Sequence, residues 1–265
     1  MDCRRLLPLA VLLAAACSSP AEVAERTGQG EGATASATAA SSAQGRKVEE
    51  DTGLYSYALS YPAAVARIPA LARRIEEQAA KGKAEMIAEA RSAQADSTKD
   101  GFPFNPHSLS EDWQVVADLP GYLSLSNQFA TYTGGAHGMY GMEGLVWDKA
   151  NGRGFASEEL FQSPSHLGSV LGDTLCAELN KARVEKGIPS YTDDDAVFPG
   201  CPNLDEATIL VGSSNGKTFD RITVWYGPYV AGSYAEGAYE LDFPMTAAMI
   251  GAVKPAYRAA FSARR

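Results

Sequence analysis

Four things are scarce in this chain of 265 residues: long apolar runs, histidine, cysteine and basic charge. No uninterrupted apolar stretch reaches the roughly 20 residues that span a bilayer as a helix, which excludes a multi-pass helical membrane protein. The three histidines, His107, His137 and His166, lie far apart. No HExxH, nucleophile elbow, GxGxxG or EF-hand spacing surrounds them or Asp193-Asp194-Asp195, so no cofactor or metal is expected. Lys and Arg number 23 against 32 Asp and Glu, a net charge of −9. Such a surface repels phosphate backbones, and nucleic acid is not an expected partner. With 45% hydrophobic residues the chain is too apolar to be wholly disordered, and it is long enough for one large domain or two small ones.

The four cysteines, Cys3, Cys17, Cys176 and Cys201, carry more information. Arg4 and Arg5 precede an apolar run, Leu6 to Ala16, that ends in Ala14-Ala15-Ala16-Cys17. A basic start, about ten apolar residues and small residues at a cut site describe an export signal over 1–16. The cysteine directly after it resembles a bacterial lipobox, in which Cys17 is lipidated and tethers the chain to a membrane. Two or more acyl chains hold a protein stably where one does so only marginally. The competing reading is a secreted protein cut after Ala16, with Cys17 there by chance. Ser18 after Cys17 points to the outer membrane if the cell is Gram-negative. Removing Asp2, Arg4 and Arg5 makes the remaining chain one unit more negative. In an oxidising compartment the two cysteines left over, Cys176 and Cys201, are expected to pair.

Residues 17–50 are read as anchor and flexible linker. Beyond Cys17 the stretch is rich in Ala, Ser, Gly, Thr, Glu and Gln, has no aromatic residue, and as a coil spans roughly 30 Å. The body begins with a strand-like run from Leu54 to Tyr61 that carries three tyrosines, and Pro62 ends it. A helix is expected from Pro69 to about Asp96, with Leu71, Ile75, Gln78 and Gly82 on one face. Trp113–Leu119 and Tyr122–Phe129 read as strands joined by a Pro120-Gly121 turn, and Leu145–Asp148 as another short strand. Residues 164–186 read as a second helix, with Leu167, Val170, Leu171, Leu175 and Leu179 inward. Strands follow at Thr208–Gly212, Phe219–Tyr226 and Ala238–Phe243, and Thr246–Phe261 reads as a short helix, Pro255 and another helical turn. Hairpin-like strands with helices between groups imply an α+β fold built on antiparallel sheet, with two subregions in one body.

Two stretches are candidates for function. In Tyr132-Thr133-Gly134-Gly135-Ala136-His137-Gly138 the glycines free the backbone to turn tightly or to approach a ligand. His137 is there either an acid–base group or a turn residue bonded to backbone. In Trp225 to Gly237, Tyr226, Tyr229 and Tyr234 among glycines suit an amphipathic contact surface, or else an aromatic core. Glu236 and Asp148 are the carboxylates that could join His137 in acid–base chemistry, which spacing alone does not establish.

The Tyr132–His137 segment, Trp147-Asp148, Leu160-Phe161, Pro228-Tyr229-Val230-Ala231-Gly232 and Glu236-Gly237 occur in an order that resembles the extracellular module of RsiV-type anti-sigma factors. The amino-terminal half of that module also accompanies PdaC-type peptidoglycan deacetylases. The resemblance implies a PdaC-like subregion over 51–130 and an RsiV-like one over 131–265. It also implies a location in the cell envelope, facing the periplasm, and binding of peptidoglycan or of a basic lysozyme-like protein. Net negative charge suits such a basic partner. The metal-binding Asp and His motifs of the deacetylase domain are absent, so no catalysis is inherited. The expectation is a non-enzymatic binding protein whose ligand surface includes Tyr132, Gly134, Gly135, His137, Tyr226, Tyr229, Tyr234 and Glu236. The alternative is an envelope glycan hydrolase or transferase that uses His137, Glu236 and Asp148.

Overall fold

The computed structural model describes residues 44–189, 198 and 200–264. Cys17, the signal over 1–16 and Asp193-Asp194-Asp195 lie outside them.

The fold is α+β, with a six-stranded sheet ordered β1-β2-β3-β4-β5-β6 and a three-stranded sheet ordered β7-β8-β9. Strand β1 (Arg46–Asp51) pairs antiparallel with β2 (Tyr55–Tyr61). The expected linker therefore ends before residue 46. Five of the six β1 residues are charged, and an edge strand exposed on one side tolerates such a composition. Helix α1 (Ala63–Ala66) and the long helix α2 (Pro69–Asp100) follow. They carry the chain over the sheet, so β3 (His107–Asp118) returns parallel to β2. The sheet is antiparallel, as expected, except at this one pairing, where a 32-residue helix supplies the crossover that parallel pairing requires.

Strands β3, β4 (Tyr122–Tyr132), β5 (Met139–Asp148) and β6 (Arg153–Ala156) then form an antiparallel meander. The boundary expected between residues 130 and 131 falls inside β4, and the glycine-rich segment after it is a hairpin turn within one sheet. In α2 the buried residues are Leu71, Ile75, Ala79, Met86 and Ala90. Gln78 is exposed, and at Gly82 a Cβ would lie 3.4 Å from Leu109 Cδ2, so that helical turn lies against β3.

The helix expected over 164–186 is two helices, α3 (Pro164–Leu171) and α4 (Asp173–Glu185). Gly172 between them has φ 51° and ψ −137°, a conformation open to glycine and strained for other residues. Leu167, Leu171, Leu175 and Leu179 are nonetheless buried in one core, since the break preserves their four-residue spacing. Strands β7 (Thr208–Gly212), β8 (Arg221–Tyr226) and β9 (Tyr239–Pro244) are antiparallel, and α5 (Ala247–Ala252) and a 3₁₀ turn at Pro255–Ala260 follow.

Two apolar cores result. One, with Tyr57, Leu59, Leu71, Ile75, Trp113, Leu125, Leu145 and Trp147, lies between α2 and the large sheet. The other joins the small sheet, α3, α4 and α5, and takes in Val146. Strand β5 thus feeds both cores with alternate residues, as the two-residue period of a strand dictates.

Candidate functional site

The two glycine-rich stretches meet at the start of β5. In the first, the Tyr132 hydroxyl donates to Gly135 O at 2.9 Å and Asn105 Nδ2 donates to Gly134 O at 3.1 Å, with Gly134 at φ 86°. At Gly138 a Cβ would lie 2.7 Å from Thr131 O, so only glycine lets the turn close on β4. This places His137 outward. Its Nδ1 is 2.9 Å from Gly138 O, and a carbonyl only accepts, so Nδ1 carries the proton. Nε2 lies 3.2 Å from the Tyr229 hydroxyl, within hydrogen-bond reach. His137 is clamped between its own turn and the second loop.

Aromatic rings complete the contact. His137 stacks on Tyr234 at 4.0 Å between centroids, and Tyr229 lies 5.7 Å from Tyr234. Tyr140 meets Tyr234 and Trp225 edge-on, and its hydroxyl accepts from Ala238 N at 3.0 Å. Tyr229 is 50% exposed and holds φ 70°, the one non-glycine residue at positive φ among the described residues. An exposed tyrosine held in a strained backbone conformation is the most distinctive feature of the site.

The loop beneath is braced from α4. Arg183 is fully buried and donates from Nη2 to Ala231 O and from Nη1 to Gly200 O, both at 2.6 Å. The Cys176–Cys201 disulfide, with Cα atoms 5.3 Å apart, secures the same segment. Lys186 Nζ donates to Glu236 O and Ala238 O and sits 4.0 Å over the Tyr239 ring.

Three expected site residues have other work. Tyr226 is fully buried, donates to Pro202 O at 3.0 Å and has its phenol pushed up by burial, so it is a core residue and not a ligand contact. Glu236 closes a capping box: its carboxylate accepts from Ser233 N at 2.8 Å and from the Tyr239 hydroxyl at 2.7 Å. It also packs on Gly232, where a Cβ would come within 2.1 Å of Oε2. That is a loop-stabilising role, and no hydrogen bond joins it to His137.

Asp148 sits at the far end of β5, about 30 Å along the strand from Met139, where the strand leaves the His137 turn, at roughly 3.3 Å per residue. It accepts from Ala150 N, Asn151 N and Asn151 Nδ2. Burial pushes its carboxyl up, but these bonds together hold it below the usual carboxylate range. The acid–base constellation of His137, Glu236 and Asp148 is therefore not assembled. Tyr140, Trp225 and Arg183 belong to the site and were not singled out from sequence. Tyr140 falls just beyond the glycine run, and its side chain could have been placed only by knowing that β5 begins at Met139.

Among the described residues no group of three His, Cys, Asp or Glu side chains could hold a metal ion, and no helix is long and apolar enough to cross a membrane. The site can stack on a flat or pyranose-like surface with three rings, and it offers a phenol and an imidazole for polar contact.

No curated protein matches the sequence. Among solved structures, a DUF3298 family member from Bacteroides fragilis is similar at 18% identity and a TM-score of 0.49, covering 76% of this chain and 89% of its own. A DUF3298 family protein from Pseudomonas aeruginosa is similar at 17% identity and a TM-score of 0.49, covering 83% and 96%. Residues 48–140, from within β1 to the start of β5, match the family model described as deacetylase PdaC, and that stretch is similar to the family.

Proposed function

We propose that this chain is a lipid-anchored, non-enzymatic binding protein of the cell envelope that recognises peptidoglycan through Tyr229, His137 and Tyr234. The observation that carries the reading is Tyr229, half exposed and held at φ 70° by a loop braced from Arg183 and bonded to His137. A ring fixed in advance loses little conformational entropy on contact with a sugar face. Catalysis is disfavoured by the same geometry, since the neighbouring carboxylate of Glu236 caps its own loop. The tether is Cys17, and mass spectrometry of the amino terminus is expected to show a cut before Cys17 and a lipid on its sulfur.

The binding test is co-sedimentation of the full chain with purified peptidoglycan at low and moderate salt. Wild type is expected to sediment, and Tyr229→Ala combined with Tyr234→Ala to lose at least tenfold in affinity. If wild type stays in the supernatant, the peptidoglycan assignment is wrong. Retention on immobilised lysozyme, abolished by the same pair of substitutions, would instead make a basic protein the partner.

A further inference from the structure

At the end of β5 away from the tyrosine platform, a cleft of about 290 Å³ opens between the α1–α2 junction and the large sheet. Its wall includes Arg67 and Ile68 at the junction, Asp118, Leu123 and Trp147 from β3, β4 and β5, and Lys149. Lys149 Nζ donates to Asp118 Oδ1 and to Leu119 O, and the third of its N–H bonds is left over. Arg67 is exposed, and its guanidinium makes no ion pair and no side-chain hydrogen bond among the described residues. Two cations and one carboxylate leave the wall with one positive charge uncompensated.

A second observation is independent of these charges. Trp147 is 4% exposed, and its indole N–H meets no acceptor among the described residues. Trp147 stands between Gly154 of β6 and Leu123 of β4 in the sheet. A Cβ at Gly154 would lie 3.2 Å from Trp147 Cε3, so the benzo edge of the ring faces β6. The N–H edge is the opposite one and turns toward Leu123, which lines the cleft with it. Native interiors rarely leave such a donor unmatched, and where they do a ligand or water is the usual reason.

We infer that this cleft binds the carboxylate of an organic acid with an apolar body, held by Arg67, Lys149 and the indole N–H of Trp147. The free polar groups of the wall are donors, and a planar carboxylate offers about four lone-pair sites and matches the guanidinium fork. Ile68 and Leu123 supply the apolar contact for the body. A phosphate dianion is a poorer occupant, because Asp118 stands in the same wall and repels a second negative charge. The inference does not rest on peptidoglycan binding, since the tyrosine platform lies at the other end of the strand.

The test is a titration of the ¹⁵N-labelled full chain followed at the Trp147 indole N–H signal, which Trp147→Phe assigns. Sodium hexanoate is expected to shift that signal saturably, while hexanol and sodium chloride at equal concentrations leave it in place. Sodium acetate, which lacks the apolar body, is expected to bind at least fivefold more weakly. Arg67→Gln, at an exposed position whose side chain supports no contact in the fold, is expected to weaken hexanoate at least fivefold with an unchanged urea midpoint. An equal response to hexanol, chloride or inorganic phosphate, acetate binding as tightly as hexanoate, or an unchanged affinity in Arg67→Gln overturns the assignment. Nα-acetyl-alanyl-leucine and its amide separate the sources of the acid. Binding of the peptide as tight as hexanoate, lost in the amide, points to the terminal carboxylate of a peptide, and much weaker binding of the peptide to a free small acid.

Discussion

Two buried polar groups in this molecule are treated in opposite ways. Arg183, in the core of the small sheet, is fully enclosed, and its guanidinium is met by the carbonyls of Gly200 and Ala231 and by Asn180 Oδ1. Glu111, buried in the large sheet, is met differently: it shares the amide of Asn127 with Glu143, and no salt bridge reaches it among the described residues. Charge enclosed by the chain's own carbonyls is architecture, and here it holds the tyrosine loop. A buried carboxylate answered by one shared amide keeps the cost of its burial, and the Glu111 carboxyl is pushed up by it. The position of a buried charge thus says less about its role than the groups that face it.

The comparison is broken most severely by Arg183→Met. Methionine fills much of the volume but leaves two buried carbonyls without donors, and each such group costs about 1–3 kcal/mol. A loss of about 3 kcal/mol in urea unfolding is expected, together with weaker co-sedimentation with peptidoglycan, because Ala231 carries the loop that presents Tyr229. The effect of Glu111→Gln on stability should be the same in the Arg183→Met background. If the two changes do not add, the two regions are coupled and the contrast drawn above does not hold.

Much of this architecture could be read from the sequence, and the reasons for the rest are physical. The Pro69 start, the Pro120-Gly121 turn and the leucines from 167 to 179 carry local signals, and the corresponding elements exist. The Cys176–Cys201 pair followed from counting cysteines once Cys17 had been set aside. Strand β1 escaped because its charged residues face solvent at an edge, where hydrophobic alternation is not needed. Parallel pairing of β2 with β3 is a property of the crossover and leaves no trace in either strand. At the site, glycine and tyrosine content located both loops, but Tyr226 and Tyr229, three residues apart, have opposite environments. Composition cannot separate them; the end of β8 at Tyr226 does. The Glu111–Asn127–Glu143 cluster had no local signal at all, since its three residues come from separate strands.

A smaller effect sharpens the acid side of the comparison. Because burial raises the Glu111 carboxyl in the folded chain, the folded state binds that proton more tightly than the unfolded state does. Stability from this group therefore falls as pH rises from the ordinary carboxylate range through the raised value, and the penalty persists at neutral pH. Glu111→Gln is expected to stabilise the protein at pH 7, by less than Arg183→Met destabilises it, and to leave stability nearly unchanged where Glu111 is already protonated. Asp148 and Asp220, held low by hydrogen bonds that outweigh their burial, act in the opposite sense. Their contribution is lost only as pH falls through their depressed values, so urea midpoints taken across the acid range separate the two groups. A Glu111→Gln chain less stable than wild type at pH 7 would mean that the ionised acid is compensated within the fold.

The smallest expected effect tests the aromatic side, and its sign matters more than its size. A non-glycine residue at left-handed φ costs about 1–2 kcal/mol, and glycine removes that cost. Glycine also adds about 0.4–1 kcal/mol of unfolded-chain entropy to be lost on folding, and Tyr229→Gly deletes the hydrogen bond to His137. These terms nearly cancel, so unfolding should shift by about 0.5 kcal/mol or less, whereas affinity for peptidoglycan should drop at least tenfold. A residue kept for the fold would show the reverse pattern, a clear loss of stability with binding intact. The strain at Tyr229 is retained for what the ring meets outside the molecule if stability hardly moves while binding collapses.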